Sequence, residues 1–237
     1  MTLKKLIAKL LRRGVLPLLP RRVHLPFTLW IHVNFEEAEA ELVHLDKLVA
    51  KGSIAIDVGA NIGLYALSLA RNFEKVYAFE INPETSLVLK QCENPKIELI
   101  NSGISNKESD ATLYTPVQPD GLVLVGWASL QPGNCPGIKD HKETRVKLKT
   151  LDSFGIKKCS FLKVDVEGHE IEVLEGAIKT LRESRPIILI EVREQNASIV
   201  TGLLESLGYK RQTFLKLTGI QGSSENLIFV PAAQVTL

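Results

Sequence analysis

The sequence predicts an α/β fold in which a mainly parallel sheet is covered by helices on both faces. Short, continuously apolar segments, such as residues 53–57 and 186–192, alternate with segments of helical periodicity, which is typical of strands buried on both faces. The composition is that of a globular protein, with 45% hydrophobic and 24% charged residues. The last two strand patterns, at residues 209–214 and 226–230, flank a glycine-containing turn and predict an antiparallel edge.

The predicted elements follow one another regularly along the chain. Strands are expected at residues 53–57, 75–80, 97–100, 111–115, 145–149, 160–165, 186–192, 209–214 and 226–230. Helices are expected at residues 36–50, 62–71, 84–92, 168–182 and 196–207. Gly52 ends the first of these helices, and Asn82 caps the third, with Pro83 at its first position. The helix at 168–182 repeats apolar residues at the helical period and carries glutamates near its positive end.

The first 35 residues differ from the rest of the chain in charge. They carry seven Lys or Arg and no acid, whereas residues 36–237 carry 22 bases and 27 acids. Leucines and isoleucine recur at helical spacing among the bases of residues 3–13, which predicts a basic amphipathic helix that Gly14 ends. We therefore divide the chain into a basic appendage, residues 1–35, and a domain, residues 36–237.

Two roles are open for this basic helix. It either packs onto the domain and turns its charges to water, or residues 1–14 contact an anionic membrane surface or a partner. The chain has no uncharged apolar stretch of bilayer length, and Lys9, Arg12 and Arg13 interrupt what would be a signal-peptide core. The expected location is the cytoplasm, with peripheral membrane contact as the alternative.

Charge and cysteine usage exclude several classes of function. The acidic domain argues against a nucleic-acid partner. Three widely spaced cysteines, Cys92, Cys135 and Cys159, form no paired motif, so the sequence predicts neither a disulfide framework nor a zinc site. This cysteine usage predicts a reducing compartment.

Residues 116–140 interrupt the alternation of strands and helices with a long stretch rich in proline and glycine. A loop of this length inside a domain is usually functional or mobile. We interpret it as a cover over the active site. Trp127 and Ser129 within it are the candidates to stack on the substrate and to hydrogen-bond it.

The most informative segment is the turn after the first strand, Asp57-Val-Gly59-Ala-Asn61-Ile-Gly63. Ligands of open α/β sheets bind beyond the carboxyl ends of the strands, and glycines there let the backbone approach the ligand. The spacing departs from a dinucleotide fingerprint because Asn61 stands where the second glycine is needed. Asp57 also suits a cationic ammonium better than a pyrophosphate. Asp57, Gly59, Asn61 and Gly63 therefore favour S-adenosylmethionine over NAD.

Two further strand ends extend the predicted cofactor site. Glu80 ends the second strand, where an acid can accept both ribose hydroxyls. Asn101 follows the third strand, where a residue contacting adenine is expected; turn formation explains it equally well.

A second group of polar residues follows the strands at 160–165 and 186–192. Lys163 and Asp165 are two residues apart on one strand and share a face, and the next turn carries His169. Glu191 ends the neighbouring strand. Asp165 and Glu191 predict a site that either holds Mg²⁺, which orients a diol and lowers its hydroxyl pKa, or lies beside His169 acting as general base. Structural alternatives are open in this turn: Glu167 and Glu170 could complement the helix dipole, and His169 could cap the turn.

At these residues the sequence resembles the FkbM-type methyltransferases, a branch of the S-adenosylmethionine-dependent class I methyltransferases. The resemblance covers roughly residues 36–231, and its motifs lie at residues 57–63, 79–84, 150–152, 162–170 and 226–231. The most specific is Leu-Lys-Val-Asp-Val-Glu-Gly-His-Glu at 162–170. The resemblance implies a Rossmann-like fold of about seven strands and methyl transfer, typically to a hydroxyl of a sugar, glycan or natural product. By position it places Asp57, Gly59 and Glu80 at the cofactor and Asp165 and His169 on the reaction side.

Three rival functions are weighed against this one. A nucleic-acid methyltransferase of this cofactor class needs a base-holding Asn/Asp-Pro-Pro-aromatic motif or a catalytic Pro-Cys, and the chain has neither. Asn61 in place of glycine disfavours a nicotinamide oxidoreductase. A non-enzymatic membrane-surface protein with a degenerate cofactor fold stays open as an alternative.

Overall fold

A seven-stranded sheet forms the centre of the computed structural model, which describes residues 2–36, 38–133, 135–223 and 225–232. Numbered in chain order, its strands are β1 (Gly52–Val58), β2 (Phe73–Phe79), β3 (Ile97–Ile100), β7 (Cys159–Val164), β8 (Ile187–Glu191), β9 (Tyr209–Gln212) and β10 (Asn226–Pro231). Their order across the sheet is β3-β2-β1-β7-β8-β10-β9. Strand β10 runs antiparallel to both of its neighbours, β8 and β9, whereas all the other pairs in this sheet are parallel. The predicted α/β fold with an antiparallel C-terminal edge is confirmed.

The three remaining strands form a separate small sheet in the order β4-β6-β5. They are β4 (Gly103–Ile104), β5 (Ser109–Pro116) and β6 (His141–Lys149). Between β5 and β6 the chain makes a 3-10 turn at Val125–Trp127 and returns Ser129 to pair with Tyr114. This connection lies against one end of the main sheet, where it lines the cavity described below.

The helices after residue 36 are shorter than the sequence predicts. They are α3 (Ala40–Val43), α4 (Leu45–Leu48), α5 (Leu64–Leu69), α6 (Pro83–Lys90), α7 (Glu170–Glu175), α8 (Ile178–Ser184), α9 (Ala197–Ser206) and α10 (Phe214–Thr218). The single helix predicted at 168–182 is wrong: it breaks at Gly176, where a Cβ would lie 2.0 Å from the carbonyl oxygen of Ser105. The helix predicted at 36–50 is likewise two short helices. Phe214, assigned to a strand, begins α10 behind the Thr213 cap.

The N-terminal segment is helical over more of its length than predicted. Helix α1 (Leu3–Leu10) leads through a π-helical turn to α2 (Arg21–Phe35). The sequence does not predict α2, because Pro26 interrupts its helical pattern. Leu25 and Leu29 of α2 belong to the core on one face of the main sheet. Residues 21–35 therefore pack on the domain. Within the described residues, no helix combines the length and hydrophobicity needed to cross a membrane.

Candidate active site

Four acids predicted from the sequence lie along one edge of the main sheet. Asp57, Glu80, Asp165 and Glu191 stand at or just beyond the carboxyl ends of β1, β2, β7 and β8, which are consecutive in the sheet order β2-β1-β7-β8. We call the ends of β1 and β2 the binding side and the ends of β7 and β8 the reaction side. Strands far apart in the chain thus bring these carboxylates together.

The turn between β1 and α5 shapes the binding side. Gly59, Asn61 and Gly63 all have positive φ angles, of 81°, 51° and 97°. A Cβ on Gly59 would lie 1.7 Å from the carbonyl oxygen of Asp165, so no side chain fits there. The Gly59 N–H donates to the carbonyl oxygen of Phe79. The turn is therefore pressed against both neighbouring strands.

Glu80 is held in place by the backbone on both sides of it. One carboxylate oxygen accepts the N–H of Asn61 at 2.6 Å, and the other accepts the N–H of Asn82 at 2.6 Å. Burial raises the pKa of Glu80, and these two hydrogen bonds oppose the rise. Each oxygen keeps a lone pair, so the carboxylate can still accept hydroxyl hydrogens from a ligand.

Asp57 lies beneath the site rather than on its surface. Its side chain is 1% exposed, and its Oδ2 has no hydrogen-bond partner among the described residues. Burial raises its pKa to about 7, although the nearby Lys163 opposes the rise. Asp57 and Lys163 are register partners on β1 and β7.

Lys163 is a buried cation surrounded by acids. Its Nζ lies 3.5 Å from Oδ2 of Asp165 and 5.0 Å from the centroid of the Tyr65 ring. Burial favours the neutral amine, but Asp165, Glu191 and further carboxylates outweigh it and raise the pKa of Lys163. Lys163 therefore supplies positive charge below the reaction side, and its burial keeps it from reaching a substrate directly.

A cavity of about 170 Å³ opens in front of the binding side. Gly59, Asn61 and Glu80 line it, together with residues of the 125–130 segment. Asn101, the predicted adenine contact, does not: its side chain is exposed and donates to Oγ of Ser86 at 3.1 Å. The buried Ser102 lines the cavity instead. Asn101 and Ser102 are adjacent in the chain, and the sequence alone does not show which of the two side chains faces the cavity.

The reaction side holds a cluster of three carboxylates. Single oxygens of Asp165, Glu167 and Glu191 lie within 4.8 Å of one another, a spacing that one divalent cation can bridge. Glu167 was not among the predicted site residues; its φ of 53° and the glycine that follows it mark the turn that brings it in. Two cations already stand beside the cluster, because Arg193 pairs with Glu167 at 3.0 Å and Lys163 lies beside Asp165.

Glu191 has the most perturbed carboxyl on this side. Burial, followed by the charge of Asp165, raises its pKa to about 7, while Lys163 opposes the rise. A carboxyl that titrates near neutral pH can take a proton from a substrate and return it to water.

His169 faces the same cavity but has neighbours at both ring nitrogens. Its Nε2 lies 3.0 Å from Oγ of Ser105, and its Nδ1 lies 3.4 Å from a carboxylate oxygen of Glu172. Burial lowers the pKa of His169, and the charges of the nearby glutamates partly oppose this decrease. The imidazole is thus held in the wall of the first cavity.

A second, larger cavity of about 810 Å³ lies on the other side of the carboxylate cluster. Asp165, Glu167 and Glu191 line both cavities. Trp127 lines only the second and is 48% exposed. Ser129, predicted to contact the substrate, is buried in the first cavity's wall, where its Oγ donates to the carbonyl oxygen of Glu167. The carboxylate cluster therefore lies between the two cavities.

Comparisons with known proteins point to one activity. A family model described as the methyltransferase FkbM domain matches residues 57–211. Methyltransferase 1 of Beauveria bassiana is 26% identical in an alignment of 202 positions that covers 72% of this chain and 81% of that protein. The hexuronic acid methyltransferase AglP of Haloferax volcanii is 29% identical over 139 residues, 57% of this chain and 54% of the relative.

A solved structure shares the fold. The crystal structure of methyltransferase FkbM from Methylobacillus flagellatus superposes with a TM-score of 0.55 at 16% sequence identity, covering 88% of this chain and 52% of that one. The chain thus spans about half the length of this protein and of the Haloferax relative.

Proposed function

Because the chain belongs to the FkbM methyltransferase family, we propose that it transfers a methyl group from S-adenosylmethionine to a hydroxyl oxygen of a sugar, glycan or natural product. The observation that carries this proposal is the carboxylate cluster of Asp165, Glu167 and Glu191, which lies between two cavities. Methyl transfer needs two molecules to meet end to end, and this arrangement provides one space for each.

The lining of the first cavity carries the groups that the proposed cofactor needs. Glu80, fixed by two backbone donors, is positioned to accept the ribose hydroxyls. Gly59 has no side chain, which lets the turn pack against the backbone of Asp165 while it lines this cavity. Ser102 lines the cavity and Asn101 does not, so Ser102 is the residue that we assign to the adenine. S-adenosylmethionine supplies a methyl group already activated by a positively charged sulfur. The negative reaction side suits such a charge, and this supports the cofactor over NAD.

The second cavity suits a molecule rich in hydroxyl groups. Its lining carries several glutamates, which accept hydrogen bonds from hydroxyls, and Trp127, whose half-exposed ring offers a surface for the apolar face of a sugar ring. Arg193 and Arg211 also line it and would receive an acidic group. The name of the Haloferax relative, a hexuronic acid methyltransferase, is consistent with a sugar acceptor.

Glu191 is the general base that we propose. The acceptor oxygen attacks the methyl carbon as the bond from that carbon to sulfur breaks, and the hydroxyl proton passes to Glu191. Glu191 faces both cavities, whereas His169 faces only the first and has a partner at each ring nitrogen. We assign His169 to positioning the turn and Lys163 to balancing the charge of Asp165.

A magnesium ion on Asp165 and Glu191 remains the alternative to a protein base, and Glu167 would complete its ligand set. The oxygen-only donors fit Mg²⁺. Against it stands the pairing of two of these carboxylates with Lys163 and Arg193, which already lowers their net charge. We therefore expect activity to survive treatment with a chelator.

Calorimetric titration with S-adenosylmethionine tests the cofactor assignment, with NAD as the comparison ligand. We expect heat from S-adenosylmethionine alone, and an affinity about 10- to 100-fold weaker in Glu80→Gln, because an amide nitrogen would face one of the two backbone N–H donors. Glu84→Gln, an exposed neighbour that pairs with Lys142, is the matched control. Binding of NAD alone, or no binding of either, would contradict the proposal; the latter is expected of a non-enzymatic protein with a degenerate cofactor fold.

Product analysis tests the acceptor. A panel of neutral sugars, uronic acids and hydroxylated natural products is incubated with methyl-labelled cofactor, with and without EDTA. We expect labelled methyl ethers and no loss with EDTA. If EDTA abolishes all methyl transfer and Mg²⁺ restores it, a metal ion rather than Glu191 activates the acceptor. Label on nitrogen or carbon would refute a hydroxyl acceptor.

A further inference from the structure

Helix α1 presents part of its apolar stripe to solvent, although Ile7 at the edge of the stripe is half-buried. At 100° per residue, Leu3, Leu6 and Leu10 lie on one side of the helix and Ala8 lies on the opposite side. The three leucines are 72%, 39% and 63% exposed, whereas Ala8 is 1% exposed. The helix therefore packs on the protein through its Ala8 side and leaves these three leucines uncovered.

Helix α2 has two apolar faces, and only one of them is covered. Leu25 and Leu29 are buried in the core and anchor the helix to the domain. Trp30 and Val33, on another face, are 47% and 37% exposed, and Phe27 stacks on Trp30 with ring centroids 5.6 Å apart. An exposed apolar face on a rigidly anchored helix is a surface available to a partner.

Exposed apolar side chains are concentrated in the first 35 residues. Of the fourteen exposed large hydrophobic side chains found in the described parts of the chain, eight lie there. They are Leu3, Leu6, Leu10, Val15, Leu18, Val23, Trp30 and Val33. We call this set the N-terminal apolar surface. The remaining six are distributed over residues 87–217.

The charges around this surface select the partner. Residues 1–35 contain seven Lys or Arg and no Asp or Glu, and Lys4, Lys9, Arg13, Arg21 and Arg22 are exposed. An apolar helix face bordered by cations and carrying a tryptophan matches the interface of an anionic bilayer, where the apolar groups enter the acyl boundary and the cations meet the headgroups. A second copy of the chain fits poorly, because a two-fold contact would oppose two sets of cations.

We propose that the N-terminal apolar surface docks the protein onto anionic lipid membranes, with α1 and α2 lying in the interface. The contact thus extends beyond residues 1–14 to Trp30 and its neighbours. It is independent of the proposed methyl transfer, since none of these residues lines either cavity.

Vesicle co-sedimentation tests the apolar part of the proposal. We expect the protein to bind vesicles of phosphatidylcholine with phosphatidylglycerol, and phosphatidylcholine alone at least tenfold more weakly. The triple variant Leu3→Ser, Leu10→Ser, Trp30→Ser should bind the anionic vesicles at least tenfold more weakly. The matched control is Leu87→Ser, Ile199→Ser, Leu215→Ser, whose residues are similarly exposed, at 56%, 54% and 51%. Equal losses in the two triples, or no binding by the unmodified protein, would overturn the proposal.

Charge reversal tests the electrostatic part. Lys4→Glu, Lys9→Glu, Arg13→Glu should weaken binding at least tenfold, because each cation near an anionic surface contributes to attraction. Lys107→Glu, Lys139→Glu, Lys210→Glu changes net charge equally at exposed positions elsewhere and should bind like the unmodified protein. Thermal unfolding confirms that each variant is folded. A similar loss in both charge variants would mean that net charge alone drives binding and would refute a local surface.

Tryptophan fluorescence gives a readout that needs no variant of the surface. In Trp127→Phe, Trp30 is the only tryptophan, since the chain has two. Its emission should shift to the blue on anionic vesicles and be quenched by brominated lipid. An unchanged spectrum on vesicles that sediment the protein would place the contact elsewhere. Light scattering tests the competing occupant, a second copy of the chain. If the unmodified protein is a dimer and the apolar triple variant is a monomer, a second copy covers the surface and the membrane proposal is wrong.

Discussion

The binding side and the reaction side use carboxylates in opposite ways. At Glu80, two backbone N–H groups fix the carboxylate and oppose the rise in pKa that burial causes. At Glu191, the neighbouring charge of Asp165 adds to burial and raises the pKa to about 7. The same chemical group is thus fixed by hydrogen bonds on one side and has a pKa near neutrality on the other, which agrees with the roles that we propose for Glu80 and Glu191. The surroundings of each carboxylate, rather than its type, decide its role.

The largest expected effect separates the two sides by activity. Glu191→Gln removes the proposed base but keeps the size of the side chain, so kcat should fall about 10²- to 10⁴-fold. Cofactor affinity, which depends on the binding side, should stay within about twofold. Steady-state kinetics and calorimetry measure the two quantities, and Glu205→Gln, exposed on α9, is the control. A variant that keeps its kcat would remove Glu191 from the mechanism.

A side chain at Gly59 should lower the stability of the protein, because the binding side and the reaction side are in contact there. In Gly59→Ala the new Cβ meets the carbonyl oxygen of Asp165 at 1.7 Å, so we expect a loss of about 3 kcal/mol or more in the free energy of unfolding. Gly121→Ala has a similar φ of 84° with nothing within 4 Å and should lose about 1 kcal/mol from backbone strain alone. Denaturant unfolding of both variants measures the difference. Equal losses would mean that the close contact is relieved without cost.

The pH dependence of stability tests the buried acid that links the two sides. The pKa of Asp57 is raised from 3.8 to about 7 in the folded protein, so the folded state holds this proton more tightly than the unfolded state does. The stability that protonated Asp57 contributes to the folded state is fully present below about pH 4 and is lost as pH rises towards 7. Without cofactor, the free energy of unfolding should therefore fall between pH 4.5 and pH 8, and Asp57→Asn should reduce that fall by about 3 kcal/mol. Identical pH profiles would show that Asp57 keeps an ordinary pKa.

The smallest effect is expected at Asn101. Its side chain is exposed and bonded to Ser86, outside the first cavity, so Asn101→Ala should change cofactor affinity less than about twofold. Calorimetric titration with S-adenosylmethionine measures it. A tenfold loss would restore Asn101 as an adenine contact and move the binding side towards β3.

The sequence predicts the central sheet well because buried strands leave an apolar signature that does not depend on distant contacts. The acids at the strand ends are equally visible, since a polar residue after an apolar run is a local feature. What escapes is set by tertiary contacts: the break at Gly176 depends on the backbone of Ser105, and the third carboxylate, Glu167, depends on a turn with a positive φ. Helix α2 escapes because Pro26 lies inside it and interrupts the helical pattern of the sequence.

The order of the strands has a consequence for synthesis on the ribosome. The inner edge of β1 pairs with β7, and Val58 and Val164 are the last register partners of these strands. At about 5 to 20 residues per second, roughly 5 to 20 seconds pass between the emergence of the two. Throughout that time β1 offers an unpaired, apolar edge to any other extended chain. Until β7 has been synthesised, pairing with other chains at this edge of β1 therefore competes with correct folding.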